Sequence, residues 1–332
     1  MDFYYVSDWL ETSGLATKGT RDKVVLVKPG TEDTYFLKFP MFKPMRDYRP
    51  ENWSEVIAYE VGTKLGFDVL RYDLAEYKGR VGCISKNMIS TEDLESLIEG
   101  HQILSSYDPS YDPADQKTKH LYTFEFVCEA IKHFGFSKYI NHFLRTLIFD
   151  AIIGNSDRHQ SNWGIIQSIN IEIVENNIGL TDRIFKRSKQ EGRRYIFHFL
   201  NRPTPIYDSG CCLGREFCDD VLQQKLNSPI QFESYIRKGF AELRLNEFPK
   251  KQTHENLLHH LMLIQGGKWK TFIQQEIEKV IHKYNFNELR EVVFNIDKSF
   301  PDRYRDEYGL SDVRKEFIIR VIDRRINNLK NI

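Results

Sequence analysis

One stretch limits this chain more than any other: Ile153-Gly154-Asn155-Ser156-Asp157-Arg158-His159-Gln160-Ser161-Asn162-Trp163-Gly164. It follows an apolar stripe at helical spacing (Ile140, Phe143, Leu144, Leu147, Ile148, Ala151) and precedes an alternating, strand-like run (Ile169, Ile171, Ile173). Turn chemistry after a helix explains Asn155 and Asp157. It leaves Arg158, His159, Asn162 and Trp163-Gly164 unexplained in the same run. A polar loop this dense, held between two apolar elements, is where function concentrates.

The chain on either side reads as two unlike halves. Val24–Val27 and Tyr35–Phe39 flank the turn Lys28-Pro29-Gly30 and predict a β-hairpin fed by a glycine-containing loop. Gly14 to Thr20 has no lysine after Gly19 and leads into a strand, so it is not a Walker loop. A helix is expected from Asn52, with Asn52 and Glu55 at capping-box spacing, an apolar stripe through Ile57, Ala58, Val61 and Leu65, and a stop at Gly66. Glu60 and Lys64 stand at i,i+4 on it. Val69–Tyr77 and Val81–Ser85 read as a second hairpin, Glu92–His101 as a short helix, and Tyr107–Lys119 as a linker.

Beyond Tyr122 helical patterns dominate: Phe232–Leu243, Glu255–Ile264, Trp269–Tyr284, Phe286–Val293 and Val313–Leu329. A hairpin (Ile169–Ile173, Tyr195–Leu200) with a polar loop over Asp182–Arg194 interrupts them. The expected fold class is therefore α+β and two-lobed, with a small β-rich lobe over 1–106 carrying one main helix and a larger, mainly helical lobe over 107–332.

Charge and cysteine usage exclude several classes. Lys+Arg and Asp+Glu are both 47, so the formal net charge is zero and no nucleic-acid partner is expected for this chain alone. No apolar run reaches the length of a membrane span, and the first residues lack a signal-peptide pattern, so a cytoplasmic location is expected. Cys83, Cys128, Cys211, Cys212 and Cys218 contain no C-x-x-C pair and read as reduced thiols. His254-Glu255 is followed by His259, one residue too late for a zinc-protease helix.

The remaining candidates fit phosphoryl transfer, which needs a cation on the nucleotide phosphates, a carboxylate to orient it, oxygen ligands for magnesium and a base for the accepting hydroxyl. In order along the chain these are Lys38, Glu55, Asp157 with Asn162, and Asp208 in Tyr207-Asp208-Ser209-Gly210. Alone, Lys38 reads as an outward lysine on an alternating strand, Glu55 as the N3 carboxylate of a capping box, and Asp208 as a turn aspartate. The order raises their standing, and Asp-x-x-x-x-Asn is the specific part.

The run Gly154 to Gly164 resembles the catalytic loop of the HipA-like serine/threonine kinases. Tyr207-Asp208-Ser209-Gly210 is similar to that family's metal-binding turn, Gly19-Thr20-Arg21-Asp22-Lys23 to its phosphate loop, and Tyr35-Phe36-Leu37-Lys38 to its nucleotide-lysine strand. The resemblance implies a short form without the family's N-terminal subdomain. It implies an ATP- and Mg2+-dependent protein kinase that transfers the γ-phosphate to serine or threonine. The loop from Ser13 to Lys23 offers Ser13, Thr17 and Thr20 among basic neighbours and is expected to be autophosphorylated.

In that reading Asp157 is the base and His159 stands where many kinases carry a lysine. Asn162 and Asp208 bind the metal. Gly19, Arg21, Lys23, Lys38 and Glu55 serve the nucleotide phosphates, and backbone near Met88 and Ile89 cradles adenine. A protein substrate and an antitoxin-like partner protein are implied. The interval from Asn162 to Asp208 is long and reads as an insertion, which leaves Asp182 as the rival metal ligand. Asp-Arg-His-x-x-Asn also occurs in phosphoinositide kinases, and a pseudokinase that only binds is the alternative outside enzymes.

Overall fold

The computed structural model describes residues 1–12, 22–43, 46–90, 92–175, 193–248 and 250–332. The N-terminal half builds a six-stranded sheet from β1 (Phe3–Tyr5), β2 (Leu10–Glu11), β3 (Lys23–Val27), β4 (Thr34–Lys38), β7 (Asp73–Tyr77) and β8 (Arg80–Lys86), in the order β1-β7-β8-β4-β3-β2. A small ribbon of β5 (Phe42–Lys43) and β6 (Arg46–Asp47) precedes the helix α1 (Pro50–Leu65). Both expected hairpins form: β3 pairs with β4 and β7 with β8, antiparallel. Lys38 falls opposite Lys23 on one side and Cys83 on the other, in the middle of the sheet.

α1 begins differently from its sequence signal. Its N-cap is Arg49, Pro50 occupies the first turn, and no side chain caps it, so Asn52 and Glu55 are not a capping box. Pro50 already supplies the preset φ of a helix start and lacks the N–H that a cap would satisfy. Both residues lie one turn in, buried, and are available for tertiary contacts. The helix ends as expected at Gly66, in the left-handed conformation (φ 86°). Lys64 bonds Glu288 at 3.3 Å and Glu60 the N-terminal amine at 3.1 Å, so the i,i+4 pair gives way to longer-range partners. A side chain at Gly62 would run into Val69 and Phe149, so that glycine lets α1 lie close to the C-terminal half.

The segment Glu92–His101 is not one helix. It forms β9 (Ser96–Glu99) and then α2 (Gly100–Tyr107), because β10 (Gly164–Glu175) supplies an antiparallel partner that local pattern cannot reveal. β10 continues as the expected hairpin with β11 (Arg193–Pro203), giving the sheet β11-β10-β9. On one face of that ribbon Ile169, Ile171 and Ile173 stand opposite Phe199, Phe197 and Tyr195. Apart from the half-buried Ile169 these side chains are exposed.

The helices α3 (Phe124–His133) and α4 (Ile140–Ile153) follow. Next come α5 (Asp219–Asn227), α6 (Pro229–Arg237), α7 (His254–Gly267), α8 (Lys270–Lys283), α9 (Phe286–Asn295), α10 (Arg305–Tyr308) and α11 (Asp312–Leu329). The helix expected over Phe232–Leu243 is cut short. Ser228 caps α6 with Pro229 at its first position, and the chain leaves helix at Lys238, just before Gly239. α4 is buried on nearly every side, among the core residues Val56, Val127, Leu258 and Ile322. That burial fixes where its C-terminus, and hence the loop after it, points. The mixed architecture, a β-sheet N-terminal region and a helical C-terminal part, is the expected α+β class.

Candidate active site

α4 stops at Gly154 (φ 70°, ψ 41°), whose N–H donates to the Asp150 carbonyl at 2.7 Å. A left-handed residue there turns the chain out of the helix, which glycine permits without strain. The polar loop then closes on itself. The Asn155 Oδ1 accepts the Asp157 N–H at 3.2 Å, and the Asp157 carbonyl accepts the His159 N–H and the Asn162 Nδ2 amide, both at 2.8 Å. The Ser161 N–H donates to His159 Nδ1 at 3.1 Å, which makes that nitrogen the unprotonated one. The carbonyl of Trp163 accepts from Gly100 N at 2.8 Å, fastening the loop to the start of α2.

At the centre lies Arg158, 2% exposed. Its Nε and Nη2 form a two-pronged bond to the Asp150 carboxylate, both at 2.9 Å. Nη1 donates to the Asn162 carbonyl at 2.8 Å and to the Tyr207 carbonyl, and Nη2 also reaches Ser209 Oγ at 3.2 Å. Burial, the largest single influence, would depress its pKa, but the charge and hydrogen bonds of Asp150 together with the charge of Asp208 outweigh it and hold the guanidinium above its ordinary value. One side chain thus joins the helix α4, the loop and the Tyr207–Gly210 turn. Asn162 and Asp208, 46 positions apart along the chain, are therefore joined in space.

Asp208 adopts a left-handed backbone (φ 55°) that aspartate tolerates better than most residues. Three neighbours hold the turn: the Asp208 N–H donates to the Tyr72 hydroxyl at 3.2 Å, the Ser209 N–H donates to Glu55 Oε2 at 2.7 Å, and the Tyr207 hydroxyl donates to the Ser161 carbonyl at 2.8 Å. Burial, then the charges of Glu55 and Asp208, push the Tyr72 phenol well up, so it stays neutral. Lys38 Nζ forms an ion pair with Asp208 Oδ1 at 3.2 Å. Lys23, beside Lys38, is lowered by burial first and by the Lys38 charge second, with Asp208 opposing both. Cys211, next after the turn, donates its thiol to Asp157 Oδ2 at 3.3 Å.

The fold therefore brings Lys23, Lys38, Glu55, Asp157, Asn162 and Asp208 to one place. Gly19 and Arg21, with Ser13, Thr17 and Thr20, lie outside the described residues, as does Asp182. His159 is half-buried in the loop. At Met88 and Ile89, expected to cradle adenine, the Met88 carbonyl accepts Arg202 Nη2 at 2.9 Å and the Ile89 N–H donates to Asn87 Oδ1 at 3.3 Å, so both groups are engaged within the chain.

Sequence reasoning missed Asp150, Tyr72 and Cys211. Asp150 did carry a signal: it is the one charge in the apolar run Leu147–Ile153, eight residues before an arginine. Nothing local marks Tyr72 or Cys211.

Residues 15–175 match the family model of the HipA-like C-terminal domain, a range that includes Lys23, Lys38, Glu55, Asp157 and Asn162. Among solved structures it is similar to the Helicobacter pylori proinflammatory kinase CtkA: TM-score 0.70, 18% identity, covering 99% of this chain and 97% of that one. It is also similar to HipA of Shewanella oneidensis MR-1, solved with HipB and operator DNA: TM-score 0.52, 11% identity, covering 96% of this chain and 65% of that one. No curated protein sequence matches significantly.

Proposed function

We propose that this chain is a protein kinase that uses ATP and magnesium to phosphorylate serine or threonine hydroxyls, its own included. The observation that carries the reading is the Arg158 clasp, which ties the loop bearing Asp157 and Asn162 to the turn bearing Asp208, beside Lys38. The donor set fits magnesium. The Asn162 amide nitrogen faces the Asp157 carbonyl, which turns its oxygen the other way, and the Asp208 carboxylate adds a hard oxygen partly open to solvent. A side chain at Gly210 would press on Glu55, so the bare glycine keeps the turn close to α1. Magnesium bound there would neutralise charge on the phosphates.

Lys38 and Lys23 hold phosphate oxygens of the nucleotide. Glu55 acts on the Ser209 N–H and so fixes the Asp208 turn. Asp157 orients the accepting hydroxyl and takes its proton on Oδ1, since Oδ2 receives the Cys211 thiol. As the hydroxyl oxygen bonds to the γ-phosphorus, the bond from that phosphorus to the bridging oxygen of ADP breaks. Adenine recognition at Met88–Ile89 requires those groups to exchange their internal partners. The Shewanella neighbour was solved with HipB and DNA, which supports an antitoxin-like partner protein here.

The test is incubation with labelled ATP and magnesium, with products mapped by mass spectrometry on a protein extract, on the chain itself and on phosphoinositide vesicles. Label on Ser or Thr that is absent with Asp157→Asn is expected. Label on lipid alone, or nucleotide binding with no transfer to any acceptor, overturns the reading.

A further inference from the structure

A second cleft lies in the C-terminal part, away from the residues just described. Its walls come from the last turn of α4, the end of α6 with Gly239 after it, the start of α7 and the final turns of α11, and it encloses about 440 Å3. Arg325 and His254 line it, each 6% exposed.

Buried cations in this fold otherwise have carboxylates. Arg158 has Asp150, Arg314 has Asp219 at 3.0 Å, and Lys315 has Asp297 at 2.8 Å. Among the described residues Arg325 has no carboxylate within ion-pair distance. Its Nη1 reaches the Ala151 carbonyl at 3.4 Å, its carbon lies 5.8 Å from the Tyr235 ring centre, and its Nε has no hydrogen-bond partner. The His254 Nε2 likewise has none. Methyl groups at Gly154 or Gly239 would strike this guanidinium, so two bare glycines make its place.

A buried guanidinium whose only carboxylate influence is Glu216, beyond ion-pair distance, is costly, and an anion in the adjoining space lowers that cost. Several features say which anion. The guanidinium presents a planar donor edge suited to phosphate oxygens. The start of α7 contributes its positive end, although Thr253 Oγ1 already takes the Asn256 N–H at 3.2 Å. Exposed Arg237 at the mouth adds a second cation, against one exposed carboxylate, Glu255. Two arginines against one glutamate favour a dianion over a monocarboxylate. The volume exceeds what a bare phosphate fills and lies in the range of small-molecule sites.

We propose that this cleft binds a small phosphate-bearing molecule, with its phosphoryl oxygens on the Arg325 guanidinium, beside His254. The site is independent of the kinase reading. It nonetheless abuts the catalytic loop, because Arg325 touches Ala151 and packs on Gly154, immediately before the Asn155 that holds the Asp157 N–H.

The test titrates inorganic phosphate into the whole chain at fixed ionic strength, with chloride as the control, following the Arg325 Nε–H and His254 ring signals by NMR. Saturable shifts of both with phosphate, absent with chloride and retained in Lys38→Met, are expected. Absence of a saturable shift at either residue overturns the proposal, as does loss of the shifts in Lys38→Met, which would assign phosphate to the other site. In parallel, phosphate should raise the thermal midpoint of Lys38→Met but not of Lys38→Met/Arg325→Gln. An equal rise in both overturns the proposal, and should the double variant fail to fold, the wild-type titration decides alone.

Discussion

Replacing Arg158 by methionine removes the one side chain that, among the described residues, joins α4, the loop bearing Asp157 and the Asp208 turn. It leaves the Asp150 carboxylate, 1% exposed, without its cation, and strips a donor from the carbonyls of Asn162 and Tyr207. Breaking a buried pair on one side costs about 3–5 kcal/mol. With a urea dependence on the order of 3 kcal/mol per molar or more for a chain this long, the midpoint should fall by about 1 M. Asp150→Asn removes the orphaned charge while its amide oxygen can still accept from Asn155, so Asp150→Asn/Arg158→Met should be less destabilised than the sum of the singles by about 2 kcal/mol. Activity should not return with stability. The turn bearing Asp208 then keeps only the Tyr207 hydroxyl and Cys211 contacts to the loop bearing Asp157, which do not fix the Tyr207 carbonyl, and a misplacement of about 1 Å costs roughly 100-fold. Urea unfolding followed by tryptophan fluorescence, and phosphate transfer on the same samples, measure both. An Arg158→Met midpoint within about 0.3 M of wild type refutes the clasp, using the same urea dependence. So does a double variant that regains transfer.

Other outcomes follow from single residues. Asp157→Asn should cut transfer by about 100-fold or more with an unchanged circular-dichroism spectrum, since the proposed mechanism uses its carboxylate to accept the proton and its backbone bonds remain. Asp208→Ala and Asp208→Gly should both abolish magnesium-dependent transfer, but the glycine variant should be the more stable by about 1 kcal/mol in thermal unfolding, because position 208 is left-handed. His254 should make stability fall in acid. Burial first, and then the Arg325 charge, lowers its pKa from 6.5 to about 3, while a hydrogen bond to the Asn155 backbone works the other way. The unfolded chain takes up the proton first, so the penalty is absent above about pH 6.5 and grows as pH falls towards 3. His254→Gln should flatten that part of the urea-midpoint profile, and an unchanged slope counts against it.

Much of this protein was legible in its residues because the signals are local. The stripe from Ile140 to Ala151 has helical period and Gly154 can end it, so α4 and its exit need no knowledge of the rest. The crowding of Asp157, Arg158, His159 and Asn162 marked the loop, and alternation marked the β10–β11 hairpin. Tertiary structure decided what depends on partners distant in sequence. Glu55 had capping-box spacing, yet Pro50 started the helix and Glu55 became the acceptor for Ser209, 154 positions away. Residues 96–99 became a strand only because β10 runs beside them. Asp208 was one aspartate in a turn until Arg158 drew Tyr207 and Ser209 to the loop and Lys38 met its carboxylate. Residue type and period are written along the chain. Which buried charge finds a counter-charge is settled by packing, as Asp150 beside Arg158 and Arg325 beside a cleft show in opposite ways.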